Sequence, residues 1–174
     1  MTETIDTMAN QYLTLLLDGD LYALEIASVQ EVLEYMPITK VPRTQDFMRG
    51  VINVRGHAVP VVDLRLKFGM EAAEKTVDTC IIIVEVDMDG EKTTMGALVD
   101  GVEEVLEMEP GNIEPPPKLG TRINTRFMKG IGKLEESFVI MLDINEVFTF
   151  EEIAELVETR QTASTRQEMA DGDV

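Results

Sequence analysis

The stretch MRGVINVRGHAVPVVDLRLKFG, residues 48–69, overlaps two short sequences whose counterparts occur later in the chain. FMRGVI, residues 47–52, aligns with FMKGIG, residues 127–132, at an offset of 80. VPVVDL, residues 59–64, aligns with VIMLDI, residues 139–144, at the same offset. Two matches at one offset indicate an internal duplication.

A third pair of sequences supports the duplication at a slightly different spacing. VQEVLE, residues 29–34, aligns with VEEVLE, residues 102–107, at an offset of 73. The longer connection EPGNIEPPPKLG in the second copy accounts for the seven-residue difference. The chain is therefore interpreted as one structural unit repeated twice.

Each copy begins with a hairpin signal. LTLLLDGDLYALEI alternates around Asp18-Gly19, and IIIVEVDMDGEKTTMGALV does the same around Asp89-Gly90. DMDG is not interpreted as a calcium loop, because Leu98 stands where the closing Glu is needed. Many short strands between turns predict small closed sheets rather than a parallel sheet.

Other local patterns give weaker expectations. VQEVLE fits a short helix or a strand, and Ser28 has the capping-box spacing to Glu31. Gly50 is expected to end a short helical turn. Alternation from residue 64 to 68 predicts a strand. Pro60 predicts that its strand lies at a sheet edge or that a strand pairing begins there.

Composition limits the classes of function. The 174 residues carry a net charge of −18, which argues against binding of nucleic acid. The single cysteine, Cys80, excludes an internal disulfide and a multi-cysteine metal site, and it is expected to be buried. His57 is expected to be an exposed strand residue. Neither a signal peptide nor a long apolar run is found, so a soluble intracellular protein without a cofactor is expected.

Basic residues gather within this acidic chain. Between residues 40 and 68 there are six bases and two acids: Lys40, Arg43, Arg49, Arg55, Arg65 and Lys67, with Asp46 and Asp63. The second copy has Glu135 where the first has Arg55, so the duplication does not explain this arginine. Two interpretations of Arg55 stay open, a surface ion pair and a contact with a partner.

One enzymatic hypothesis arises from the duplication. Asp63 and Asp143 are equivalent positions, and a pseudo-symmetric pair of aspartates can activate water. Both, however, lie in apolar strand segments and not in tight loops of small residues. They are expected instead to accept backbone hydrogen bonds at a strand end or turn.

Three segments together resemble the CheW family of chemotaxis coupling proteins. They are YALEIASVQEVLEYMPITKVPRTQDFMRGVINVRGHAVPVVDLRLKFG, GALVDGVEEVLEM and FMKGIGKLEESFVIMLDINEVF, and the likeness covers residues 11–150. The resemblance implies a mostly β protein with two small five-stranded SH3-like barrels and a shared apolar core. The expected barrels cover about 20–75 and 80–150, with strand exchange allowed. Residues 1–10 are expected to be a flexible N-terminus, and 151–174 an amphipathic helix around Ile153, Leu156 and Val157 followed by a mobile polar tail.

The resemblance also implies a function without catalysis. The expected protein is an adaptor that joins the chemotaxis histidine kinase, through its regulatory domain, to the cytoplasmic tips of methyl-accepting chemoreceptors. It is expected to be cytoplasmic and recruited to membrane-associated receptor arrays, without inserting into the membrane itself. Carried over by position, the partner-binding residues are Val29, Glu31, Val32, Gly50, Arg55 and Val105.

Overall fold

The computed structural model describes residues 10–116 and 125–148. The expected helix and tail over 151–174 therefore lie outside the described residues. The strands are β1 Gln11–Leu17, β2 Asp20–Glu25, β3 Val29–Glu34, β4 Met48–Val54, β5 His57–Asp63, β6 Cys80–Met88, β7 Glu91–Val99, β8 Gly101–Glu107, β9 Ile113–Glu114, β10 Met128–Lys133 and β11 Phe138–Leu142. Two one-turn helices, α1 Leu64–Lys67 and α2 Ile144–Val147, follow β5 and β11.

The strands form two sheets, and each sheet takes strands from both copies of the repeat. The first sheet has the order β3-β6-β7-β5-β4 and the second β8-β1-β2-β11-β10-β9. The opening hairpin of each copy is thus exchanged into the sheet built largely by the other copy. The sheets do not follow the sequence division between residues 75 and 80, and the second sheet has a sixth strand of two residues.

The predicted hairpins are confirmed. β1 pairs with β2 and β6 pairs with β7, both antiparallel. Asp18 and Gly19 have φ values of 51° and 82°, and Asp89 and Gly90 have 53° and 85°. Two-residue turns of this kind need positive φ at both positions, which explains why Asp-Gly stands at both.

The exchange buries β6 on both faces. Ile82 and Val84 belong to a large apolar cluster that also contains Leu13 and Leu15 of the second sheet. Ile83, which faces the opposite way, belongs to a separate cluster within the first sheet. Burial of each such side chain contributes about 1.5–3 kcal/mol, so the shared core joins the two sheets firmly. The shared apolar core expected from the sequence is confirmed.

VQEVLE, which fits a helix or a strand, is a strand, whereas the capping box at Ser28 and the helical turn ended by Gly50 are not formed. The strand is β3, and the turn before it, Ile26–Ser28, has no side-chain cap. Gly50 does not end a helix but lies within β4, at an irregularity in its pairing with β5. Six residues are too few for helical periodicity to be distinguished from strand alternation, and pairing with β6 decides the outcome.

The strand predicted for residues 64–68 is also wrong. Those residues form α1, whose first turn is capped by Asp63: its Oδ1 accepts from Arg65 N at 2.9 Å. Asp143 caps α2 in the same way, accepting from Asn145 N at 3.2 Å. The two repeated aspartates therefore accept backbone hydrogen bonds, as expected, each within its own helical turn.

The structure distinguishes the two interpretations of Pro60, a strand at a sheet edge and the start of a strand pairing. Its strand β5 lies inside the first sheet between β7 and β4, so the edge interpretation is wrong. The parallel pairing of β5 with β7 begins at Val61, opposite Gly96, directly after the proline. Pro60, which has no N–H, thus precedes the point where pairing with β7 begins.

Candidate functional site

Two equivalent valines are exposed on the outer strands of the two sheets. Val32 on β3 is 43% exposed and Val105 on β8 is 49% exposed. Within the described residues β3 pairs only with β6, and β8 pairs only with β1. Neither valine therefore serves the core, and an outer strand leaves one row of backbone groups available for contact. The duplication places the same apolar side chain at the edge of each sheet.

Glu31 and Arg55 meet on the surface of the first sheet. Both guanidinium nitrogens of Arg55 donate to the Glu31 carboxylate, with Nη1 3.4 Å from Oε2. The Arg55 side chain is 73% exposed and that of Glu31 27%. The hydrogen bond and the charge of Glu31 raise the pKa of Arg55 above its ordinary value. The pair joins the outer strand β3 to the β4–β5 turn.

The β4–β5 turn itself fixes where Arg55 lies. Arg55 and Gly56 have φ values of 51° and 86°, the two-residue hairpin geometry of the other turns. Gly56 N also donates to Asn53 Oδ1 at 2.8 Å. Both interpretations of Arg55 remain compatible with this geometry, because a guanidinium has five N–H donors and this one stays largely in solvent.

Val29 and Gly50 differ from the other predicted residues because they are enclosed. Val29 is half-buried and packs against the shared core. Gly50 is buried and has φ of 139°. A Cβ there would overlap the Thr39 carbonyl oxygen and lie 2.7 Å from its carbon. Any influence of Gly50 on a partner is therefore indirect, through the segment around Thr39 that pairs alongside β4.

The equivalent glycine in the second copy has the same packing reason. A Cβ on Gly130 would lie 2.6 Å from the carbonyl oxygen of Glu114 in β9. In the first copy Thr39 makes the corresponding antiparallel contact, exchanging hydrogen bonds of 2.8 and 2.9 Å with Val51. In each copy a segment pairs alongside the strand, and its carbonyl oxygen occupies the space of a Cβ at the repeated glycine, which explains why MRGV and MKGI share it.

The basic residues of the region separate into distinct environments. Arg65 binds Asp100, with Nη2 2.7 Å from Oδ2, and Asp18 lies 3.8 Å away. Lys67 Nζ lies 4.4 Å above the ring of Phe47. The other three line one cleft along the chain segment that connects β3 to β4: Lys40, Arg43 and Arg49. The sequence showed that these bases are clustered in the chain but not that they line a common cleft.

The described residues offer little for catalysis or metal binding. Cys80 is buried, and burial together with the charge of Asp78 raises the pKa of its thiol, which favours the protonated form. His57 is exposed at the start of β5, as expected. Within 10–116 and 125–148 no three His, Cys, Asp or Glu side chains are grouped to hold a metal ion. No helix in these ranges has the length and apolar character needed to cross a membrane.

Known proteins resemble this chain along most of its length. The family model described as CheW-like domain matches residues 11–152. The chemotaxis protein CheW of Klebsiella aerogenes is 33% identical over 149 residues, covering 86% of this chain and 87% of that protein. The chemotaxis protein CheW of Thermotoga maritima is 30% identical over 134 residues, 75% of this chain and 82% of that protein.

A solved structure agrees with the fold. The crystal structure of the scaffolding protein TtCheW from Thermoanaerobacter tengcongensis superimposes with a TM-score of 0.74 at 38% sequence identity. The likeness covers 83% of this chain and 96% of that one. The superposition therefore includes both sheets of this chain and not one sheet alone.

Proposed function

Because this chain belongs to the CheW-like domain family of chemotaxis proteins, we propose that it couples the cytoplasmic tips of chemoreceptors to the chemotaxis histidine kinase. It acts as a scaffold without catalytic activity or a cofactor. The observation that carries the proposal is the family match over residues 11–152, which spans both sheets. The exposed valine repeated on each sheet supports it, since a two-partner scaffold needs two contact surfaces.

The two surfaces are assigned to different partners. The first-sheet surface, formed by Glu31, Val32 and Arg55, binds the regulatory domain of the kinase. Its exposed ion pair offers directional hydrogen bonds beside an apolar side chain. The second-sheet surface around Val105 binds the receptor-tip helix, to which this exposed valine offers an apolar contact. Gly50 and Val29 support the first surface from within.

Coupling requires more than simultaneous binding. A scaffold transmits a signal only if the state of the receptor changes the free energy of the scaffold's contact with the kinase. The shared core makes such transmission physically possible, because both sheets pack on the same apolar cluster. The chain then works in the cytoplasm, at receptor arrays to which its partners recruit it.

Charge reversal on the first sheet tests the kinase assignment. The full chain is co-sedimented with a receptor signalling fragment and the kinase, and kinase activity is measured in the same samples. Arg55→Glu should weaken kinase association by tenfold or more while the melting temperature stays nearly unchanged. Lys133→Glu, which breaks the exposed pair with Glu114 on the second sheet, is the matched control and should bind the kinase normally.

The double reversal Glu31→Arg with Arg55→Glu separates the two interpretations of the pair. If the pair serves only to hold β3 to the turn, the double variant regains binding. If Arg55 contacts the kinase, the double variant stays defective, which is the result we expect. Val105→Glu should reduce sedimentation with the receptor fragment and spare binding to the isolated kinase. If Arg55→Glu and Val105→Glu each bind the kinase and the receptor fragment normally, the assignment of the two surfaces is refuted.

A further inference from the structure

The connection between β3 and β4 encloses a basic cleft of about 740 Å³. Its cationic lining residues are Lys40, Arg43 and Arg49, against one acid, Asp46. Among the described residues none of these three cations forms an ion pair with a carboxylate. The chain as a whole has a net charge of −18, but this concave surface is locally positive and therefore attracts acidic ligands.

The cleft is formed by the backbone of its own loop. Thr44 Oγ1 donates to the carbonyl of Val41 at 3.0 Å, and Met48 N donates to that of Gln45 at 2.9 Å. Arg43 is held at φ of 63°, a conformation that non-glycine residues rarely adopt. The shape therefore exists before any ligand binds, which lowers the entropic cost of binding.

The remaining lining makes the cleft suitable for a peptide rather than a free anion. Tyr35, Ile38 and Leu66, which are partly exposed, contribute apolar surface beside the three cations, above the buried Val41 and Met48. An inorganic phosphate would use the cations and leave this apolar surface in water. A peptide that carries both carboxylates and aliphatic side chains would use both.

The chain itself contains such a peptide immediately after the described fold. EEIAELVE, residues 151–158, holds four glutamates and no base, with Ile153, Leu156 and Val157 at helical spacing. Charge and apolar character both match the cleft. The whole segment 149–174 has seven acids and two arginines.

The end of the fold and the cleft residue Met48 both pack on the shared apolar cluster. Phe148, the last described residue, belongs to the same buried cluster as Phe127. Lys67 Nζ lies 5.2 Å from the ring of Phe127 and 4.4 Å from that of Phe47, and Phe47 precedes the cleft residue Met48. Residues 151–158 follow Phe148 by three to ten positions, so at ~3.3 Å each they reach at most ~10–33 Å from the end of the fold.

We propose that the acidic segment 149–174 of this chain binds the basic cleft, with residues 151–158 as the contact. A tethered ligand has an effective concentration near the millimolar range, so modest intrinsic affinity is enough. The contact is electrostatic in part and therefore weakens with salt. Any acidic partner that uses the cleft must displace the segment. The proposal stands independently of the coupling function.

A paramagnetic label tests the contact in the full chain. Thr159→Cys is labelled with a nitroxide, while the native Cys80 is buried. At low salt the amide signals of residues 40–49 should broaden relative to the reduced, diamagnetic label. Arg43→Glu with Arg49→Glu should reduce that broadening at least threefold, as should 0.5 M NaCl. Lys92→Glu on β7, which is exposed outside the cleft, is the control and should leave it unchanged.

A mixing experiment identifies the occupant. Chain that carries the nitroxide but no ¹⁵N is mixed with ¹⁵N-enriched chain that carries no nitroxide. Only contacts between two molecules can then broaden the signals. Broadening at residues 40–49 in this mixture would assign the cleft to a second copy and overturn the proposal. If the chain that carries both ¹⁵N and the nitroxide shows no broadening at these residues, the proposal is overturned as well. Broadening in the single chain but not in the mixture supports it.

Discussion

Gly50→Ala tests whether the repeated glycine is required for packing. The new methyl group would overlap the carbonyl oxygen of Thr39 and lie 2.7 Å from its carbon. Because the obstacle is backbone and not the end of a flexible side chain, the segment through Thr39 must move. That movement breaks the two hydrogen bonds that Thr39 exchanges with Val51. It also displaces Ile38 and Lys40, which line the basic cleft.

The expected loss follows from two contributions. Alanine at the φ of 139° that Gly50 adopts costs about 1–3 kcal/mol. Each of the two lost hydrogen bonds costs about 0.5–1.5 kcal/mol. The free energy of unfolding should therefore fall by about 2–6 kcal/mol, a large share of the stability of a domain of this size.

Equilibrium unfolding in urea measures the loss, and two glycine variants serve as controls. Gly111→Ala should be close to neutral, because a Cβ there has no atom within 4 Å. The loss of stability in Gly130→Ala should lie between those of Gly50→Ala and Gly111→Ala. Its Cβ would lie 2.6 Å from the carbonyl oxygen of Glu114, but Gly130 does not have a positive φ. Faster hydrogen exchange at the Val51 amide would locate the effect of Gly50→Ala. An unfolding free energy within about 0.5 kcal/mol of the native value would refute the packing argument.

Three further outcomes are expected. Arg65→Met should lower the free energy of unfolding by about 1–2 kcal/mol in thermal melts, because it leaves Asp100 unpaired and partly buried; Asp100→Asn in the same chain should recover part of the loss. Asp63→Ala should cost about 0.5–2 kcal/mol through loss of the cap, whereas Asp63→Asn keeps the accepting oxygen. Burial raises the pKa of Asp63, so the asparagine variant should be at least as stable as the native chain in urea at pH 7, and a loss equal to that of alanine would contradict the capping role. Burial, followed by the charge of Arg126, lowers the pKa of Lys67 to about 8, so the unfolded state binds more protons between pH 8 and 10. Stability should rise with pH in that window for the native chain but not for Lys67→Met, and equal pH profiles would contradict the expectation.

The repeats and the turns could be predicted from the sequence because both are local properties. Asp-Gly pairs need positive φ wherever they form a two-residue hairpin, so Asp18 and Asp89 mark their turns regardless of the rest of the chain. The sequence also predicted that Asp63 accepts backbone hydrogen bonds, but it did not predict the helix α1 that Asp63 caps. One helical turn over Leu64–Lys67 has too few residues to be distinguished from an alternating strand.

The candidate site was predictable only as a set of residues. Val32 and Val105 could be matched through the repeat, yet their exposure depends on β3 and β8 being outer strands. The pairing of Glu31 with Arg55 joins positions 24 residues apart and has no local signature. Gly50 was expected to shape the backbone, but the antiparallel bridge between Thr39 and Val51 that requires it is a tertiary contact.

The sequence by itself determined that the chain is duplicated, β-rich, acidic and similar to one family, because these are properties of residue order and composition. Only the tertiary structure decided which hairpin joins which sheet. Strand exchange leaves every local pattern unchanged, so no periodicity can report it. Its benefit is the burial of β6 on both faces, with Ile82 turned to the shared core and Ile83 to the first sheet. That burial exists only when strands of both copies meet, and it places the ion pair, the two exposed valines and the basic cleft on one joined body.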